Sequence, residues 1–146
     1  NAEKKLDRWL KIAGEAMCQC GRTRIPQISV FEDLDRFLEA FSSGVEELQG
    51  TFLKIVSREG EKDSSLDLLR RSRGHCENVI AAVGPEGGWD GSEIQKFMNA
   101  DYHPVHLGPR ILRFETAAVA LVSLVQLLWG DFGETGRKGS NQHEMR

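Results

Sequence analysis

The segment from Val83 to Asp90, with the sequence VGPEGGWD, contains residue types that let a backbone approach a ligand closely. Glycine has no Cβ, so the N–H and C=O groups near Gly84, Gly87 and Gly88 can reach a molecule that side chains would exclude. Pro85 fixes one φ angle of the loop. The pattern is not the GxGxxG fingerprint of dinucleotide-binding domains. Taken alone, it fits a ligand-binding loop and a simple tight turn equally well.

A second segment, LGPRILRFETA from Leu107 to Ala117, combines a Gly-Pro turn with two arginines. Arg110 and Arg113 lie three residues apart, and Glu115 follows where a helix is predicted to begin. A carboxylate near a helix N-terminus is favoured by the helix dipole, and arginines on loops are usually solvated. This segment therefore fits either a second ligand-binding loop or an ordinary helix start.

Each of these two loops is predicted to follow a strand and to precede a helix. The apolar run 78–83 is typical of a strand buried on both faces of a parallel sheet, and residues 51–57 and 104–107 are further strand candidates. Helical periodicity predicts helices over residues 1–20, 34–41, 66–71, 90–99 and 115–129, and residues 27–31 look β-like. The alternation predicts an α/β fold, a parallel sheet with helices on both faces. Ligands bind such sheets beyond the carboxyl ends of the strands, where both loops lie.

Composition and charge fit a soluble globular domain. The chain has 146 residues, of which 40% are hydrophobic and 28% charged, and its formal net charge is −3. Proteins that bind nucleic acid through phosphates usually carry a basic excess, so this segment alone is not expected to bind RNA strongly. Cys18, Cys20 and Cys76 form no disulfide framework, which favours a reducing compartment.

The C-terminal end of the chain differs in composition from the rest. Residues 131–146 are poor in apolar residues and are predicted to form a disordered tail after a domain over residues 1–130. The longest apolar run, 117–129, is interrupted by Ser123 and Gln126 and is too short to span a bilayer. It is therefore predicted to be a buried helix.

Both loops together, in this order, resemble a known family. VGPEGGWDGSEI followed by HLGPRILRFETAAVAL and LWGDFG is similar to the ribosomal RNA small-subunit methyltransferase E family of the SPOUT superfamily. The upstream stretch KKLDRWLKIAGEAMCQCGRTRIPQI resembles the family's helix and its Q-x-x-R-x-x-x-P segment, here Gln19, Arg22 and Pro26. The resemblance covers nearly the whole chain except residues 31–50 and the tail.

The resemblance implies a homodimer with a deep trefoil knot, whose two loops hold S-adenosylmethionine in a bent form without any metal. It assigns to this cofactor residues of the two loops and of the segment that ends the 51–57 strand. These are Val56, Ser57, Gly84, Pro85, Glu86, Gly87, Gly88, Leu107, Gly108, Arg110, Ile111, Leu112 and Arg113.

The resemblance also implies an activity, the methylation of N3 of a uridine in small-subunit ribosomal RNA. Because N3 carries a proton at neutral pH, the reaction needs charge stabilisation on the uracil oxygens and a proton acceptor. Arg22 and Arg113 are the candidates for stabilising charge, and Glu115 or Glu86 is the candidate for the base. His103 and His106 flank a short strand and are interpreted as structural or exposed.

Full-length members of the family begin with a small RNA-binding β-barrel and the first strands of the methyltransferase domain, and this chain is expected to start after them. A catalytically inactive module that binds S-adenosylmethionine or dimerises is therefore an alternative. A nucleotide-binding domain is disfavoured, because the carboxylate of Glu86 would repel phosphate. A structural domain that dimerises through its apolar C-terminal helix also stays open. The expected compartment is the bacterial cytoplasm, or a plastid or mitochondrial interior.

Overall fold

A computed structural model describes residues 2–42, 50–58, 65–72, 76–130 and 132 of the chain. The chain divides into two compact units, residues Asn1–Phe41 and Ser42–Arg146. The predicted tail lies outside the described residues apart from Phe132, so its disorder and the domain boundary at residue 130 stay predictions.

The first unit contains two helices, α1 (Ala2–Cys20) and α2, which begins at Leu34 and ends at Ser42 just beyond the unit. α1 ends at Cys20, directly before Gly21 as predicted, because Gly21 adopts a left-handed φ of +70° that glycine tolerates without strain. The Arg22 N–H then donates to the Met17 carbonyl at 3.1 Å, which satisfies an orphan acceptor of the last helical turn.

The β-like stretch at residues 27–31 is not a strand, and that prediction was wrong. A strand needs a neighbour with which to form a hydrogen-bonded ladder. The ring of Phe31 instead packs edge-on against α2, with centroid distances of 5.7 Å to Phe37 and 6.2 Å to Phe41. The apolar residue that suggested a strand therefore anchors a connecting segment to a helix.

The second unit is a parallel α/β arrangement, as the alternation of apolar runs predicts. In chain order it contains β1 (Phe52–Ser57), α3 (Ser65–Ser72), β2 (Asn78–Ala82), α4 (Gly91–Asn99), β3 (His103–Val105) and α5 (Phe114–Trp129). The three strands form one sheet in the order β2-β1-β3, and both pairings are parallel. The central strand β1 therefore lies between the strands that lead into the two glycine-containing loops.

Helices cover both faces of this sheet. Leu53 and Ile55 of β1 point to one face, where they form a buried cluster with Val105, Leu69 of α3 and Leu121 of α5. Lys54 points to the opposite face, where its Nζ donates to the carbonyl of Ala100 at the end of α4 (3.4 Å). The alternation of side chains along β1 thus separates an apolar layer under α3 and α5 from a second layer under α4.

Two features of the sequence-based prediction concern larger-scale topology. The described strands form one three-stranded sheet. The trefoil knot and the absence of the domain's first strands stay predictions. No helix within the described residues is long and apolar enough to cross a membrane.

Tyr102, the only tyrosine in the chain, gives a direct test of the α4 layer. It is 3% exposed, and burial raises the pKa of its phenol from 10.0 to about 12. The unfolded chain ionises first, so the stability linked to this group is complete below pH 10 and is lost as the pH rises toward about 12. We expect the tyrosinate absorbance of the native protein to appear only near pH 12 and to return to its ordinary range in denaturant.

Tyr102→Phe is the control for this titration, because it removes the absorbance change and keeps the ring that packs on Phe97 at 5.0 Å. A native phenol that titrates like the unfolded one would contradict the burial of Tyr102.

Candidate functional site

A cavity of about 680 Å³ lies in the second unit, at the carboxyl ends of the three strands. Parallel sheets bind ligands at this edge, because the loops that leave the strands converge there. Backbone-rich loops form most of its wall. It is lined by Ser57, Arg58, Val83, Gly84, Pro85, Gly87, Gly88, Trp89, His106, Leu107, Gly108, Pro109, Arg110, Ile111, Leu112, Phe114 and Ala117.

The first loop leaves β2 and turns back into α4. The Gly88 N–H donates to the Pro85 carbonyl at 2.9 Å, and Gly88 adopts a φ of +73°, which a side chain would disfavour. The position of a Cβ on Gly87 or Gly88 meets no atom within 4 Å. The turn thus presents bare backbone to the cavity, which is the property inferred from the glycines of VGPEGGWD.

Asp90 anchors the far end of this loop as the N-cap of α4. Its carboxylate accepts from the backbone N–H groups of Ser92 (2.7 Å) and Glu93 (2.9 Å), and the Glu93 carboxylate accepts in return from the Asp90 N–H (2.9 Å). The Ser92 hydroxyl, followed by the Glu93 N–H, lowers the pKa of Asp90. This reciprocal capping box fixes the point where the loop enters the helix.

Trp89 forms part of the wall between the first loop and α4. A Cβ added to Gly84 would lie 3.1 Å from the Trp89 indole nitrogen, so the ring sits directly against the glycine. The other side of the indole contacts Phe97 in an edge-to-face arrangement with centroids 4.8 Å apart. Within the described residues, the buried indole N–H has no hydrogen-bond acceptor. Trp89 therefore packs between Phe97 of α4 and Gly84 of the first loop, so a shift of Phe97 would move the ring that contacts the loop.

The second loop leaves β3 and enters α5. Gly108 adopts a φ of +108° and has open space where a Cβ would be, so it also exposes backbone. Ile111 is 79% exposed at the cavity wall, which is unusual for a large apolar side chain. Arg113 is the N-cap of α5 in an extended conformation, and its side chain makes no capping hydrogen bond.

Most residues that the sequence assigns to the cofactor line this one cavity. Val56, Glu86 and Arg113 are not among its lining residues. Val56 is fully buried within the sheet, whereas Glu86 and Arg113 are exposed. The structure thus brings the two glycine-containing loops and Ser57 together, and the contact of each residue with a cofactor stays a prediction.

The three predicted catalytic residues occupy exposed positions. Arg22 belongs to the first unit, directly after α1, and Arg113 and Glu115 flank the first residue of α5 in the second unit. Leu112 and Phe114, which adjoin Arg113 and Glu115 in the sequence, line the cavity. The catalytic roles of Arg22, Arg113 and Glu115 therefore stay predictions.

Sequence reasoning did not select Arg58, Trp89 or His106, all of which line the cavity. Ser57 of β1 and Val105 of β3 are paired in the sheet. Arg58 directly follows Ser57, and His106 directly follows Val105. This relation appears only when the strand order is known. Among the described residues, no group of three or more His, Cys, Asp or Glu side chains is placed to hold a metal ion.

Comparison with known proteins gives a consistent family. Residues 1–126 match the model of the RNA methyltransferase domain. Curated relatives named ribosomal RNA small subunit methyltransferase E include that of Buchnera aphidicola, 32% identical over 90% of this chain and 48% of its own. Another, from Synechocystis, is 34% identical over 87% of this chain and 40% of its own.

A solved structure agrees with these sequence matches. The ribosomal RNA small subunit methyltransferase E of Neisseria gonorrhoeae, bound to S-adenosyl methionine, superposes with a TM-score of 0.70 at 32% identity. The match covers 90% of this chain and 51% of that one, and the chain spans about half the length of the curated relatives it matches. The chain therefore belongs to the RNA methyltransferase domain family, and its relatives there are the ribosomal RNA small subunit methyltransferases E.

Proposed function

We propose that this chain binds S-adenosylmethionine in the cavity at the strand ends and belongs to an enzyme that methylates N3 of a uridine in small-subunit ribosomal RNA. The observation that carries the proposal is the convergence of both family loops on one cavity. The family match over residues 1–126 supports the methyl-transfer chemistry, and the relative from Neisseria gonorrhoeae with bound S-adenosyl methionine supports the cofactor.

The residues present fit a nucleoside-containing cofactor. The volume of about 680 Å³ falls in the range of roughly 300–1,000 Å³ that small-molecule sites occupy. Gly87, Gly88 and Gly108 leave space where a Cβ would otherwise project, so backbone N–H and C=O groups can contact the ligand directly. Leu107, Ile111 and Leu112 add apolar surface for a purine ring. When bound, the cofactor supplies an electrophilic methyl group, and the chain supplies its position.

The remaining chemistry falls to side chains of the protein. The N3 proton of uracil must leave as the nitrogen attacks the methyl group, and Arg22 and Arg113 would stabilise the negative charge on the uracil oxygens. Glu115 would accept the proton. We expect Arg22→Ala to abolish methyl transfer and to leave the affinity for S-adenosylhomocysteine nearly unchanged. An equal loss of rate and affinity would contradict the role of Arg22.

A homodimer is the second part of the proposal. α5 exposes large apolar side chains, with Val119 67%, Val122 59% and Leu127 56% accessible. Several large apolar side chains exposed on one helix are typical of an interaction site. Sedimentation of the purified chain tests the dimer, and a monomer at high micromolar concentration would contradict it.

Calorimetric titration with S-adenosylmethionine and S-adenosylhomocysteine tests the cofactor, with NAD and ATP as controls. We expect binding of the first two ligands and none of the controls. Binding of all four, or of none, would contradict the cofactor assignment. A methyl-transfer assay on small ribosomal subunits then distinguishes an active enzyme from a module that only binds the cofactor.

A further inference from the structure

We propose that Trp89 is a positioning residue, whose indole N–H donates to the backbone carbonyl of Gly84 when a ligand fills the cavity at the strand ends. The hydrogen bond sets the orientation of the peptide group between Gly84 and Pro85 in the first loop. The inference deepens the proposed function and rests on it, because S-adenosylmethionine is the ligand proposed for this cavity.

The donor in this proposal is the buried indole nitrogen of Trp89, which has no hydrogen-bond acceptor within the part of the chain that the structure describes. Buried N–H groups nearly always have a partner, because a donor that is removed from water and left unpaired is unfavourable. Phe97 holds the ring from behind, with centroids 4.8 Å apart, so the indole is not free to turn toward water. An acceptor must therefore come to the indole from the loop.

Gly84 of the first loop lies over the face of this indole. A Cβ built on Gly84 would lie at nearly equal distances from three ring atoms, 3.1 Å from the nitrogen and 3.3 Å from both Cδ1 and Cε2. Cδ1 and Cε2 are bonded to the nitrogen on the side away from its hydrogen, so a point in line with the N–H bond would be clearly farther from them than from the nitrogen. Gly84 therefore stacks on the five-membered ring, and the N–H bond points past its Cα along the plane of the ring.

The acceptor is the carbonyl of Gly84. Among the described residues, no backbone N–H donates to this carbonyl, whereas the next one, that of Pro85, already accepts from Gly88 at 2.9 Å. The peptide group between Gly84 and Pro85 has no N–H, so turning it breaks no donor interaction. Gly84 also lacks a Cβ, which leaves its backbone angles freer than those of other residues. An unpaired donor thus lies beside a carbonyl that can turn toward it.

A ligand in the cavity supplies the reason for this rotation. Gly84 and Pro85 both line the cavity, so the carbonyl between them can face water there. An organic ligand displaces that water, and a carbonyl that loses its water partner is destabilised until another donor replaces it. The Trp89 N–H beside Gly84 is the unpaired donor available to it. Ligand binding and the new hydrogen bond therefore favour the same conformation of the first loop.

The test replaces Trp89 with β-(3-benzothienyl)alanine, in which a sulfur atom takes the place of the N–H group and the two fused rings are kept. The same replacement at Trp129 is the matched control, because Trp129 packs against the apolar cluster on the other face of the sheet and does not line the cavity. We expect the replacement at Trp89 to weaken binding of S-adenosylhomocysteine by roughly two- to tenfold, the value of one hydrogen bond, and the replacement at Trp129 to leave it unchanged. Without ligand, the replacement at Trp89 should not lower the midpoint of urea denaturation, because the donor that it removes has no partner there.

Proton NMR follows the donor directly, since indole N–H resonances stand apart from the rest of the spectrum and move downfield on hydrogen bonding. Saturation with S-adenosylhomocysteine should move the Trp89 resonance downfield and leave that of Trp129 in place. The coupling would be overturned if the saturated chain showed no downfield shift for Trp89, if both replacements gave the same affinity, or if the replacement at Trp89 lowered the urea midpoint. A chain that binds no S-adenosylhomocysteine in calorimetry would contradict the proposed cofactor itself, and the coupling with it.

Discussion

Gly84→Val is expected to weaken the binding of S-adenosylhomocysteine by roughly five- to 150-fold and to leave the chain folded. A Cβ at position 84 would already lie 3.1 Å from the Trp89 indole nitrogen, and the two γ-methyl groups of valine need more room than that. Trp89 cannot move away freely, because Phe97 lies against its other side at 4.8 Å. Overpacking of this kind costs about 1–3 kcal/mol, which we expect to be relieved by distortion of the loop at the cavity wall.

Gly91→Val is the matched control for this prediction. Gly91 is the first residue of α4, its Cβ position meets no atom within 4 Å, and it does not line the cavity. Gly84→Ala should give an intermediate loss of affinity, because its single methyl group requires a smaller shift of the indole. Calorimetric titration of the four proteins decides the question. Equal affinities for Gly84→Val and Gly91→Val would show that contact with Trp89 does not shape the site.

The secondary structure of this chain could be predicted well because its signals are local. Helical periodicity and the apolar run before the first loop lie within short windows, and the alternation of strands and helices predicts a parallel sheet. The one wrong element, residues 27–31, was too short for periodicity to decide. Phe31 is apolar because it packs on α2, a tertiary contact that alternation along the chain cannot distinguish from a strand.

The candidate site was predicted in part, for a related reason. The glycines of the site and Arg110 lie within two short sequence motifs, Val83–Asp90 and Leu107–Ala117. These motifs alone therefore predict most of the residues that line the cavity. Arg58 and His106 become neighbours only through the register of β1 and β3, which no single segment encodes. Trp89 was inside the first motif, yet its contacts with Gly84 and Phe97 depend on how α4 packs. Residues that become neighbours through strand pairing or side-chain packing can be identified only from the three-dimensional structure.

Phe97→Ala is expected to produce the largest loss of stability, about 3–5 kcal/mol. Phe97 is fully buried on α4, between the rings of Trp89 at 4.8 Å and Tyr102 at 5.0 Å, so alanine would leave a cavity bounded by two rigid aromatic groups. Domains are stable by only about 5–15 kcal/mol, so this single change removes a large share of the total. The midpoint of urea denaturation measures the loss.

Met98→Ala, at the next position of α4, is the control on the same helix. Its side chain is 47% exposed, so we expect a far smaller change than for Phe97→Ala, and similar midpoints for the two variants would contradict the prediction.

Leu121→Ala separates general stability from support of the site. Leu121 is as deeply buried as Phe97, but it belongs to the cluster on the opposite face of the sheet and does not line the cavity. Leu121→Ala should therefore lower the stability and preserve the ligand affinity of the folded fraction. Phe97→Ala should lower both, because Trp89 loses the ring that holds it against Gly84. The difference arises because the α4 layer of the core lies directly behind the first cavity loop, so its packing determines the shape of the loop as well as the stability of the fold.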